Sequence, residues 1–186
     1  MSDEAAPSSS RLALFALLFL ANCWLWMQGV HELGHVIGAV VSSGHVTHVV
    51  WHFAAISRTD VFPNPHPLLV CWAGPLIGCV LPLIANCIKR RSPQLQFFSG
   101  FCLVANGAYV SVGSFDGVGD AGVLLQHGSS IATLWIVGGT AGVLGFGMWH
   151  QLGTLGQLQR WSVSGRDISL QAMLLTITVA IQVLLA

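Results

Sequence analysis

Residues 11–41 read RLALFALLFLANCWLWMQGVHELGHVIGAVV, and this stretch decides the fold. No charged residue lies between Arg11 and the polar pattern that begins at His31, which predicts a single long apolar α-helix. At about 1.5 Å per residue, His31 lies about 30 Å along that helix from Arg11, close to the thickness of a bilayer core. The stretch therefore predicts a membrane-spanning helix whose polar residues lie near its far end.

That polar pattern is His31-Glu32-Leu33-Gly34-His35, an H-E-x-x-H pattern. Positions i and i+4 share a helix face, so the two imidazoles can converge on one metal ion. Glu32 is offset by one residue and can reach a metal-bound water instead. An ionisable group at bilayer depth costs about 2.5–3.5 kcal/mol, and a bound metal compensates for it. The alternative is that these residues lie just beyond the membrane, at the end of an ordinary span.

The composition predicts an integral membrane protein. The 186 residues are 54% hydrophobic and only 8% charged, whereas soluble domains carry about 25% charged residues. The formal net charge is zero, which gives no sign of a nucleic-acid partner. The five cysteines show no C-x-x-C spacing and are interpreted as packing residues. The predicted class is an all-α membrane protein with about five transmembrane helices in contact with the lipid bilayer.

Four further spans are expected, at residues 68–88, 94–112, 131–149 and 168–186. They belong to a single polytopic domain, residues 11–186, which follows a disordered tail at residues 1–10. Gly44 is expected to end the first helix. Residues 45–61 are rich in β-branched side chains and partly alternating, so a small hairpin or sheet at the membrane surface is predicted there.

A third metal ligand is sought in the glycine-rich stretch 113–122, where two acids interrupt an apolar half of the chain. Asp116 lies in its more turn-like part, and Asp120 precedes a predicted short helix; their alternative roles are a turn residue and a helix N-cap. Asp120 is favoured because a ligand at a helix start is better fixed than one in a loop. Asn106, a buried amide in the third span, must find a partner, either a neighbouring helix or a bound substrate and its oxyanion.

The basic residues provide a topology. Alternating the spans places six of the seven on one side, with Arg58 opposite; the six are Arg11, Lys89, Arg90, Arg91, Arg160 and Arg166. The positive-inside rule makes that side cytoplasmic. The same alternation places the end of the first helix and the stretch 113–122 together on the other side.

Three motifs in this order resemble the site-2 protease family of intramembrane zinc metallopeptidases: His31–His35 in a first core span, Ala73-Gly74-Pro75 in a later span, and an acidic, glycine-rich stretch after a third. The resemblance covers about residues 12–127. It departs from the family at Ile77-Gly78, where the family usually has an asparagine, and in lacking a clean leucine-aspartate-glycine stretch.

This resemblance implies that His31, His35 and either Asp120 or Asp116 bind Zn²⁺, with Glu32 as the catalytic base. The hairpin looks like the family's membrane-associated sheet, which presents substrate by adding a strand. The implied activity is hydrolysis of peptide bonds in a membrane-embedded protein substrate, in the cytoplasmic membrane of a bacterium. The oligomeric state stays open, a homo-oligomer included.

Two other functions are compatible with the sequence. One is a protease-like membrane protein without catalysis that binds and retains its clients. The other is a di-iron membrane oxygenase, suggested by the eight histidines. Such enzymes rely on H-x-x-H-H patterns, and the sequence contains no His-His pair.

Overall fold

The computed structural model describes residues 9–54, 57–89, 92–153 and 163–185. Within them, the helices are α1 (Ser9–Val41), α2 (Pro67–Ile88), α3 (Pro93–Asp116), α4 (Gly119–Gln126), α5 (Ile131–Gln151) and α6 (Gly165–Leu185), and the strands are β1 (Val46–Val50) and β2 (Arg58–Val61). All of these helices except α4 are long and apolar enough to cross a membrane. The protein is an all-α, multi-pass membrane protein with a β-hairpin after the first helix, as the sequence predicted.

The observed boundaries lie within four residues of the predicted ones, and two of the differences change an expectation. Ser9 and Ser10, expected in the disordered tail, form the first turn of α1, while residues 1–8 lie outside the described part of the chain. Helix α3 continues to Asp116, so the first part of the glycine-rich stretch is helical. It ends there because Gly117 adopts a left-handed conformation, with φ 62°. Of the basic residues used for the topology, Arg90, Arg91 and Arg160 also lie outside the described residues.

The end of α1 differs from the prediction, because Gly44 does not have the helix-ending role expected of it. The left-handed residue is Ser43, with φ 60°, and the N–H of Gly44 donates to the carbonyl of Ala39 at 2.8 Å. Gly44 serves close packing instead, since a Cβ there would lie 3.0 Å from Cγ1 of Val61. The turn thereby brings β2 back against the end of α1.

Glycines set the spacing between α2 and its neighbours. A Cβ on Gly34 of α1 would contact the backbone of α2, lying 2.8 Å from Cα of Gly74. Gly74 in turn faces His35 of α1, whereas Gly78, one turn further along α2, faces Asn106 of α3. Gly74 and Gly78, four positions apart in a G-x-x-x-G pattern, therefore let two different helices approach α2 closely, one at each glycine.

Helix α4 is fixed to the bundle by a small apolar core. The core consists of Cys71, Val110, Ala121, Leu124 and Leu134, contributed by four helices. Leu124 is fully buried, and burying a leucine side chain contributes about 1.5–3 kcal/mol. This packing holds the start of α4, and with it Asp120, against α2 and α3.

The hairpin lies along α1. Its strands are antiparallel, with His48 paired to Asp60, and the irregular register between Val46 and His48 places a bulge at Thr47. The indole N–H of Trp51 donates to the carbonyl of Leu25 at 3.0 Å. The hairpin therefore packs on the same helix that carries Glu32.

Candidate metal centre

Three ligand atoms converge between α1 and α4. The Nε2 atoms of His31 and His35 lie 3.0 Å apart, and Oδ2 of Asp120 lies 2.9 Å from the first and 3.2 Å from the second. In a tetrahedral zinc site with bonds of about 2.0–2.1 Å, neighbouring ligand atoms are about 3.3 Å apart. The three atoms thus have nearly the spacing of one face of a zinc tetrahedron.

Both imidazoles are held in the orientation that a metal requires. Nδ1 of His35 lies 2.8 Å from the backbone carbonyl of Val70. Nδ1 of His31 lies 2.6 Å from Oδ1 of Asn106, whose amide nitrogen donates to the carbonyl of Cys102 at 2.8 Å. Because both partners are acceptors, both Nδ1 atoms carry the proton. In the neutral imidazoles, the Nε2 lone pairs of His31 and His35 therefore face the carboxylate.

This arrangement places three electron-pair donors within van der Waals contact distance of one another, in a largely buried position. The side chains of His31, His35 and Asp120 are exposed to 10%, 8% and 18%. Converging lone pairs repel unless a proton or a metal cation lies between them. Two neutral imidazoles and one carboxylate form the donor set of catalytic zinc sites, which leave the fourth position open.

The electrostatics of Asp120 support an ionised ligand. Burial raises the pKa of its carboxyl, but hydrogen bonds and charges from His31 and His35 in their protonated forms outweigh that effect and lower the pKa overall. Asp120 also lies in the first turn of α4, where the helix dipole favours negative charge. Asp116 is instead exposed at the end of α3. The structure brings Asp120, and not Asp116, to the imidazoles.

Glu32 lies beside this centre and is only 4% exposed. Its Oε2 accepts a hydrogen bond from the hydroxyl of Thr59 on β2 at 2.8 Å. Both residues line a cleft of about 730 Å³ that lies between the hairpin, α1 and α4, and that also contains His31, His35 and Asp120. The carboxylate and the three candidate ligands therefore face the same cleft.

Sequence reasoning missed several residues at this site. Tyr109 lines the cleft, its ring centroid lies 5.6 Å from that of His31, and its hydroxyl accepts the N–H of Asp120 at 3.4 Å. It is the one tyrosine in the chain and lies three positions after Asn106, on the same face of α3, which was an available signal. No comparable signal pointed to Thr59.

Comparison of the chain with protein-family models, with curated proteins and with solved structures gave no match.

Proposed function

We propose that this protein is an intramembrane zinc metalloprotease. The observation that supports the proposal is the convergence of His31, His35 and Asp120 beside the buried carboxylate of Glu32, within one cleft. The order of the motifs in the sequence, which resembles the site-2 protease family, agrees with this reading. The same resemblance supports a location in the cytoplasmic membrane of a bacterium.

In this proposal His31, His35 and Asp120 hold the metal, and Asn106 and Val70 orient the imidazoles. Bound zinc supplies a more acidic water and a polarised scissile carbonyl. Glu32 accepts the proton of the attacking water and later delivers it to the leaving amine.

The proposed substrate is a membrane-embedded protein in locally extended form. A helical peptide bond is shielded by its own turn, so the substrate must unwind before Glu32 can act on it. The hairpin has two strands, and each strand has one edge without a partner strand within the sheet. A substrate segment that paired with the edge of β2 would lie along the cleft wall that carries Thr59.

The test uses the full-length protein in detergent and in liposomes, with a fluorescent single-span peptide whose helix is interrupted by glycine and proline. We expect about one zinc per chain and cleavage that a chelator abolishes and zinc restores. Glu32→Gln should keep its zinc and lose about 10²–10⁴-fold in rate, the usual contribution of general acid–base catalysis. Asp116→Asn is the matched control and should cleave normally.

Three results would contradict the proposal. Cleavage by Glu32→Gln at the wild-type rate would contradict the role of Glu32 as the general base. Two irons per chain would favour the oxygenase. Stable retention of uncut membrane proteins, unchanged by Glu32→Gln, would favour the client-binding protein without catalysis.

A further inference from the structure

We propose that Thr59 is a positioning residue for the general base, so that the hairpin completes the active site. This inference rests on the proposed function. Its starting point is that the one hydrogen bond to the Glu32 carboxylate seen among the described residues comes from β2, and not from the helix bundle.

The contact is short and specific. The Thr59 hydroxyl lies 2.8 Å from Oε2 of Glu32 and 3.4 Å from the backbone oxygen of the same residue. A threonine hydroxyl has a single proton, and the shorter distance assigns it to the carboxylate. With Oε2 held by this bond, the other carboxylate oxygen is available for a water molecule in the cleft.

The hairpin reaches Glu32 through a row of contacts along α1. Trp51 donates to the carbonyl of Leu25 at 3.0 Å, and the hydroxyl of Ser57 donates to Oε1 of Gln28 at 2.6 Å. Leu25, Gln28 and Glu32 follow one another at i, i+3 and i+7, and therefore share one face of α1. Thr59 makes the last contact of this row, at the metal centre.

The position of the carboxylate is thus set by two elements at once. Helix α1 fixes the Cα of Glu32, and β2 fixes the orientation of its carboxylate. A misplacement of about 1 Å in a reacting group can cost about 10²-fold in rate. Removing the hydroxyl should therefore lower kcat while the ligands of the metal, and the substrate-binding edge of the sheet, stay in place.

The experiment compares Thr59→Val, which removes the hydroxyl and preserves the branched shape, with Thr59→Ser, which preserves the hydroxyl. We expect Thr59→Val to keep its zinc and its KM and to lose about 10–100-fold in kcat. Thr59→Ser should retain kcat within about threefold, since the hydrogen bond survives. The matched control is Thr47→Val in the same hairpin, because the hydroxyl of Thr47 donates to Asp60 and not to α1.

A second measurement needs neither metal nor activity. In the metal-free protein, Thr59→Val and Glu32→Ala should each increase deuterium uptake in β2, and the double variant should show no more uptake than either one. Thr47→Val should instead add its effect to that of Glu32→Ala.

The two hypotheses fail in different ways. If the wild-type protein cleaves, two results overturn only the role of Thr59. One is an unchanged kcat in Thr59→Val, and the other is a Thr59→Ser variant as slow as Thr59→Val. Additive exchange effects of Thr59→Val and Glu32→Ala also overturn it. A wild-type, zinc-loaded protein that cleaves nothing overturns the proposed function, and the catalytic role of Thr59 with it.

Discussion

Nδ1 of His31 lies 2.6 Å from Oδ1 of Asn106, across the interface between α1 and α3. Asn106 reaches this position because Gly78 of α2 leaves room, since a Cβ there would lie 2.8 Å from Oδ1 of Asn106. The amide that faces His31 therefore comes from α3. Of the roles predicted for Asn106, the structure shows the helix–helix hydrogen bond.

Asn106→Ala should weaken zinc binding by about 10–100-fold, the usual cost of losing a group that orients a metal-binding histidine. The measurement is competition for zinc with a chelating dye. Ser99→Ala is the control, because the buried hydroxyl of Ser99 likewise joins α3 to a neighbouring helix, donating to the carbonyl of Pro82 on α2 at 2.8 Å. That variant should lose about 1 kcal/mol of stability and keep its zinc affinity. Equal affinities in Asn106→Ala and wild type would contradict the orienting role.

Asp120→Asn should remove most of the bound zinc, because the amide is a poor ligand and carries no charge to compensate the cation. Asp116→Asn should retain about one zinc per chain, since Asp116 is exposed at the end of α3. Metal analysis after gel filtration makes the comparison. Loss of zinc from the Asp116 variant alone would show that the ligand set is wrong.

The spans and the histidine pair could be predicted because their signals are local. Apolar runs long enough to cross a bilayer identify α1, α2, α3, α5 and α6, and an i, i+4 spacing identifies His31 and His35. The choice between Asp116 and Asp120 depended on where α3 ends. That end is decided by the left-handed Gly117, and several glycines in the stretch 113–122 were equally suitable.

The residues that orient the site could not be predicted from local signals. The carbonyl of Val70 lies 35 positions from His35 in the sequence, and Thr59 lies 27 positions from Glu32. Such contacts depend on how α2 and the hairpin pack on α1. Any residue has a carbonyl and many have a hydroxyl, so the residue type alone does not mark these partners.

Gly74→Ala should abolish zinc binding without unfolding the bundle. A Cβ at this position would collide with the imidazole of His35, including its ligand atom Nε2, and the ring would have to move. The control is Gly139→Ala on α5, where a Cβ would meet nothing within 4 Å. Zinc content and thermal unfolding should be measured together. A Gly74→Ala protein with normal zinc content would mean that His35 binds in another orientation.

Trp51→Phe should loosen the hairpin while leaving the metal ligands in place. The substitution removes the indole N–H that donates to Leu25 at 3.0 Å, whereas a smaller aromatic ring can remain near Gly29. We expect greater deuterium uptake in residues 46–54 and 57–61, normal zinc content and a lower kcat, because Thr59 is then held less firmly against Glu32. Trp24→Phe is the control, since Trp24 is exposed on α1. Greater uptake with an unchanged kcat would mean that the hairpin only borders the cleft, whereas greater uptake together with a lower kcat would show that its attachment to α1 serves the general base.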